Sequence, residues 1–128
     1  MNKEKRDKIE EIVSRGEKLR GYKPVWLRFM GEVDFDFLKV YQEYYELIGT
    51  RSVHLPLKFK ELITISILAR EHCELGLRDH IPRAFKLGVT KEEIVEALQT
   101  ASLHTGVLTL VFGLKILIEI LEKEEQNK

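Results

Sequence analysis

Apolar residues recur along most of this chain at intervals of three and four, the period of a helix, and nowhere alternate over the length of a strand. Residues 3–20 read as a polar helix with a thin apolar stripe of Ile9, Ile12, Val13 and Leu19. Gly21 can end it in the left-handed conformation open to glycine. Pro24 suits the first turn of a short helix through Trp26, Phe29 and Met30. Asp34 is placed to cap the next helix, which runs to about Ile48. That helix has a wide apolar face of Phe35, Leu38, Tyr41, Tyr45 and Ile48, with Phe37, Tyr44 and Leu47 beside it.

Gly49 through Leu55 reads as a loop holding Arg51 and His54, and Pro56 opens a helix from Leu57 to about Glu71. This helix is apolar almost all round, the mark of a central buried element. A further helix is expected over Leu75–Leu87. Pro82 either kinks it or places its start near Ile81, since proline lacks a donor and restricts the residue before it. Gly88 ends that segment, and Thr90 with Glu93 forms a capping-box pattern for a helix over Lys91–His104. Gly106 breaks the chain again before a last helix from Val107 to about Lys123. No repeat of 20–50 residues is visible. The fold class predicted is all-α, with six or seven helices.

Eleven of the fifteen residues from Val107 to Leu121 are apolar. A helix on a monomer's surface shows only one apolar stripe. This one must be central or bury its second face against another subunit. With the aromatic-rich helix ending near Ile48, it predicts a homo-oligomer.

At 128 residues the chain is expected to form a single domain, 1–128, large enough to bury a core without staples. Its 21 basic and 21 acidic residues balance, so no long-range field favours nucleic acid or an anionic membrane. Runs such as Lys3-Glu4-Lys5-Arg6-Asp7-Lys8 read as solvated helix faces. The single cysteine cannot form an internal disulfide, and no Cys/His grouping has zinc spacing. A reducing, cytoplasmic location is expected. The charged N-terminus lacks an apolar signal core. The run Val107–Leu121 is broken by Lys115 and Glu119 and is shorter than the about 20 residues a bilayer needs.

Candidate chemistry gathers in a short stretch. Glu61 lies in an apolar helix, where a carboxylate is costly unless paired or neutralised. It reads either as a proton relay or as an exposed first-turn carboxylate favoured by the helix dipole. Cys73 follows, then His80 with polar neighbours Arg78, Asp79 and Arg83. His80 reads as an acid/base or as a surface histidine paired with Asp79. Cys73 reads as a reactive thiol or as a small buried hydrophobe. Were the central helix unbroken, Glu61 and His72 would share a face about 16 Å apart. There is no Gly-rich phosphate loop, no His-Glu-x-x-His and no Gly-x-Ser-x-Gly. Neither a metal site nor an obligatory cofactor is expected.

Glu61, Cys73, His80, Ala84, Gly88 and Glu92-Glu93-Ile94 fall at the spacings of a known pattern. Over roughly Leu55–Leu121 the chain resembles the carboxymuconolactone decarboxylase / alkylhydroperoxidase D-like family. The resemblance implies an oligomeric helical bundle, a trimer or hexameric ring. It implies His80 as acid/base, Glu61 as its partner or relay, and Cys73 as the first cysteine of a Cys-x-x-Cys pair. In redox members the second cysteine attacks the peroxide and the first resolves the intermediate. Here Gly76 stands in the second position, and Leu75 stands where a relay histidine often lies. The intramolecular peroxidase cycle is therefore closed to this chain.

The first expectation is a cofactor-free lyase similar to carboxymuconolactone decarboxylase, acting on a small-molecule substrate. His80, Glu61 and Cys73 are the candidate catalytic residues. Arg51 is a candidate bidentate clamp for a substrate carboxylate. His72 is a second candidate contact, and His104 a third, beside a turn that lines the pocket in similar proteins. The alternatives are peroxiredoxin-type activity through Cys73, alone or with an external thiol, and a non-catalytic oligomeric scaffold. Glu61, Cys73 and His80 are expected to line one pocket.

Overall fold

A computed structural model describes all residues, Met1–Lys128. It contains seven α-helices and no strand: α1 (Lys3–Arg20), α2 (Val25–Val33), α3 (Phe35–Thr50), α4 (Leu57–Arg70), α5 (Glu74–Lys86), α6 (Lys91–Thr105) and α7 (Val107–Gln126). They sort into two compact units, residues 1–51 and 52–128.

The first unit packs α1, α2 and α3 about Ile9, Ile12, Val13, Leu27 and Leu38. Gly21 closes α1 at φ 74°, and the Asp34 side chain accepts from the Phe37 amide to start α3. The buried stripe of α1 runs Ile9, Val13, Gly16, Arg20 rather than through Leu19. Those positions advance by four, three and four residues and so stay on one face. Arg20 is tolerated there because its guanidinium lies 3.8 Å from the Tyr45 ring centre and donates to Gln42 Oε1 at 3.1 Å. The broad apolar face expected on α3 is only partly covered within the chain. Leu38 is buried, while Phe37, Tyr44, Leu47 and Ile48 are exposed.

In the second unit α4 packs against α5, α6 and α7. The core comprises Ile65 and Ala69 of α4, Leu77, Ile81 and Ala84 of α5, Ile94 and Leu98 of α6, and Ile116, Leu117 and Ile120 of α7, closed by Val89. Helix α4 is central, as its composition predicts, but not buried on every side. Glu61, Ile65 and Ala69 face inward at intervals of four, whereas Phe59, Ile63 and Ile67 are exposed. Helix α7 likewise buries Thr109, Gly113, Ile116, Leu117 and Ile120 and exposes Val107, Leu108, Val111 and Ile118.

Helices α3 and α7 run on to Thr50 and Gln126, past the expected Ile48 and Lys123, so Gly49 lies in α3 and not in the loop. Helix α4 stops at Arg70, and His72 takes a left-handed φ of 54°. An unbroken helical face linking Glu61 to His72 therefore does not exist. Helix α5 starts at Glu74 and runs through Pro82, so the proline sits inside the helix and does not open it. Leu77, Ile81 and Ala84 lie on one buried face spanning the proline, and their packing outweighs its missing donor. At the α6 start, Thr90 and Glu93 form the full reciprocal capping box. No helix is long and apolar enough to cross a membrane.

Candidate active site

Helix α4 aims Glu61 inward because the residue shares a stripe with Ile65 and Ala69, four and eight positions on. Only 7% of Glu61 is exposed. Helix α5 crosses this stripe with Leu77, Ile81 and Ala84, and His80 stands at its edge. The outcome is a direct hydrogen bond, His80 Nδ1 to Glu61 Oε2, at 2.7 Å. Against an ionised carboxylate, which only accepts, Nδ1 carries the hydrogen and Nε2 is the nitrogen that Glu61 does not engage.

Two further charged residues complete the cluster. Arg83 donates to Asp79 Oδ2 at 2.7 Å, one turn along α5, and its other terminal nitrogen is 3.9 Å from Glu61 Oε1. Asp79 Oδ2 is also 3.8 Å from His80 Nε2. The imidazole thus has a carboxylate on each side, with one guanidinium reaching both. Burial pushes the Asp79 carboxyl above its ordinary range, and the charges of Arg83 and His80 oppose the rise. In the sequence Asp79 was legible as a pairing partner for His80, and Arg83 only as a polar neighbour. Their i,i+4 spacing was the available signal for a pair. Nothing in the chain order says that Arg83 also reaches toward Glu61.

Cys73 is half-buried and is the N-cap residue of α5. It precedes His80 by seven residues, about 10 Å along the helix axis. The structure brings Glu61 and His80 together but gives Cys73 no hydrogen bond to either. Gly76 packs tightly: a Cβ there would meet Leu68 Cδ1 at 2.8 Å and Cys73 Sγ at 3.1 Å.

Two of the three proposed substrate contacts, His72 and His104, line cavities that the pair does not line. His72 stacks on Phe112 with ring centres 4.7 Å apart, and it lines a cavity of about 390 Å³ with Arg70, Thr105 and Thr109. His104 lines a groove of about 590 Å³ between α4 and α6, walled by Ile63, Ile67, Ala97 and Ala101. Arg51 caps the C-terminus of α3 in the first unit. The Glu61–His80 pair is built within the second unit alone. No group of three or more His, Cys, Asp or Glu side chains is placed to hold a metal ion.

A buried carboxylate–imidazole pair with a guanidinium alongside can hold and pass a proton. The model of the carboxymuconolactone decarboxylase family matches residues 36–119 of the chain. A crystal structure of a Burkholderia xenovorans LB400 protein, assigned as a carboxymuconolactone decarboxylase, is similar with a TM-score of 0.74 over 97% of this chain and 98% of that one. The two are 18% identical, so this likeness speaks for the fold. No curated protein matches the sequence.

Proposed function

The chain belongs to the carboxymuconolactone decarboxylase family, and on that premise we propose that it is a cofactor-free lyase that decarboxylates a small unsaturated lactone or a related carboxylate by acid/base chemistry. The observation that carries the reading is the buried 2.7 Å Glu61–His80 hydrogen bond. Loss of carbon dioxide breaks the bond from the substrate carbon to its carboxylate. The electron pair passes into the unsaturated carbonyl and is quenched by a proton. As an imidazolium, His80 donates Nδ1–H to Glu61 and offers Nε2–H to the substrate. After transfer the neutral ring keeps the tautomer that Glu61 selects. Solvent returns the proton to Nε2, and the cycle closes.

In this reading the assembly is a trimer or hexamer, working in the cytoplasm. Support for assembly comes from the exposed apolar residues of α3, α4 and α7, too many for a solitary small protein. The reading does not depend on Cys73, Arg51, His72 or His104.

The test is direct. The purified protein is incubated with carboxymuconolactone and related unsaturated lactone acids, and carbon dioxide release is followed with the loss of substrate absorbance. Turnover by the wild type and its loss in a folded His80→Ala variant is the expected result. Turnover that survives His80→Ala, or a well-folded wild type inert toward this substrate class, overturns the reading.

A further inference from the structure

Named charged groups meet at His80. Helix α4 contributes Glu61, at 2.7 Å from Nδ1. Helix α5 itself contributes Asp79, at 3.8 Å from Nε2, and Arg83. Glu119 of α7 is paired with Arg78 of α5. Arg83 is the only one of these groups that reaches both carboxylates, Asp79 at 2.7 Å and Glu61 at 3.9 Å. The side chains of Glu61, Asp79 and His80 are 10%, 13% and 14% exposed, so their mutual fields are weakly screened.

We infer that Asp79 and Arg83 are positioning residues of this site. Arg83 divides its charge between the two carboxylates, so that Glu61 is left to orient the imidazole through Nδ1 while Asp79 stands at the mouth of Nε2. The inference rests on the reading of His80 as the proton carrier, but its physical content can be tested without any substrate.

The charge arithmetic makes opposite demands on the two residues. Asp79→Asn removes a negative charge near Nε2. It also frees Arg83 to turn fully onto Glu61, in competition with His80. Both effects disfavour the imidazolium. Arg83→Met leaves two carboxylates beside the ring with less positive charge to offset them, which favours the imidazolium. A residue that only packed would not move the titration in two directions.

The experiment is a proton NMR titration of the imidazole signals of the full chain. The chain has four histidines, and the His80 signal is the one missing from a His80→Gln variant. Relative to wild type, the His80 signal is expected to titrate at lower pH in Asp79→Asn and at higher pH in Arg83→Met. Arg83→Gln makes the same test should the methionine variant fail to fold, and either arm alone decides the sign. Unchanged titration, or shifts of the same sign in both variants, overturns the inference. The lyase reading fails separately, by absence of turnover with the His80 titration behaving as described.

Discussion

Glu61 on α4 and His80 on α5 are nineteen residues apart in the chain, and the carboxylate accepts from the ring at 2.7 Å. The bond stands at one side of the α4–α5 packing, beside the apolar contacts of Ile65 and Ala69 with Leu77, Ile81 and Ala84. It therefore has two separable roles: it compensates the burial of Glu61, and it chooses which imidazole nitrogen faces outward. Removing either partner tests both.

His80→Ala leaves Glu61 buried with Arg83 3.9 Å away. A buried acceptor deprived of its charged-group hydrogen bond costs about 1–3 kcal/mol. Urea unfolding should show a loss of that size. Glu61→Gln keeps the shape and an acceptor, so its loss of stability should be the smaller one. In the proposed reaction both variants should lose activity by a factor of about 100 or more, since proton transfer is worth that much. Equal stability losses with normal turnover would separate the pair from any chemistry.

Gly76→Cys should create a disulfide with Cys73. The Cβ position at residue 76 lies 3.1 Å from Cys73 Sγ. In a disulfide, the Cβ of one cysteine and the sulfur of the other are also about 3 Å apart. Mild oxidation should remove both free thiols, measured by thiol titration under denaturing conditions with mass spectrometry excluding dimers. In the wild type, hydroperoxide reduction coupled to an intramolecular disulfide should be absent. Two titratable thiols persisting in oxidised Gly76→Cys would show that the α5 start is held differently.

Asp79 gives a pH signature. Its folded carboxyl is held above its ordinary value of 3.8, first by burial. The folded state therefore binds this proton more tightly than the unfolded chain. Ionised Asp79 costs stability at neutral pH, and the cost is relieved as pH falls through the raised value toward 3.8. Asp79→Asn removes that titration. Its stability relative to wild type should be most favourable near neutrality and should decline as the solution approaches that value. Denaturant unfolding of both proteins across this range checks the sign, and an advantage that grows on acidification contradicts it.

The capping box at α6 titrates in the other direction. Glu93 is held below the ordinary carboxylate range, chiefly by the Thr90 backbone amide and then by Lys58. Its contribution is present above the unfolded value and is lost as pH falls through the depressed folded one. Thr90→Ala removes the reciprocal half of the box and should cost about 1 kcal/mol near neutrality. A thermal or urea midpoint unmoved by that substitution would mean that the box adds nothing to α6.

Assembly is tested on α7. Val107, Leu108 and Val111 are all more than half exposed in the single chain of 15.0 kDa. If this face is covered by another copy, Val111→Glu should shift sedimentation equilibrium toward the monomer while circular dichroism stays helical. A wild-type protein sedimenting as a monomer at micromolar concentration would remove the oligomer from the proposal.

The chain order by itself determined the helices and most of their ends, because those signals are local. Gly21, Asp34, Pro56, the Thr90–Glu93 box and Gly106 each act through backbone groups within a few residues, and each stands at the expected boundary. The spacing of Glu61 and His80 was also legible, through the resemblance to a family pattern. Tertiary structure alone decided that Arg83 reaches Glu61 as well as Asp79, because α5 crosses α4 at that height and no periodicity encodes a crossing between helices. The same holds for Arg20, which is buried where Leu19 is the more apolar choice: facing aromatic rings from α2 and α3 make the site suit a guanidinium. Pro82 stayed inside α5 for a similar reason, long-range packing outweighing the local preference. Local propensity is written residue by residue, whereas the partners of a buried charge are fixed only when distant helices meet.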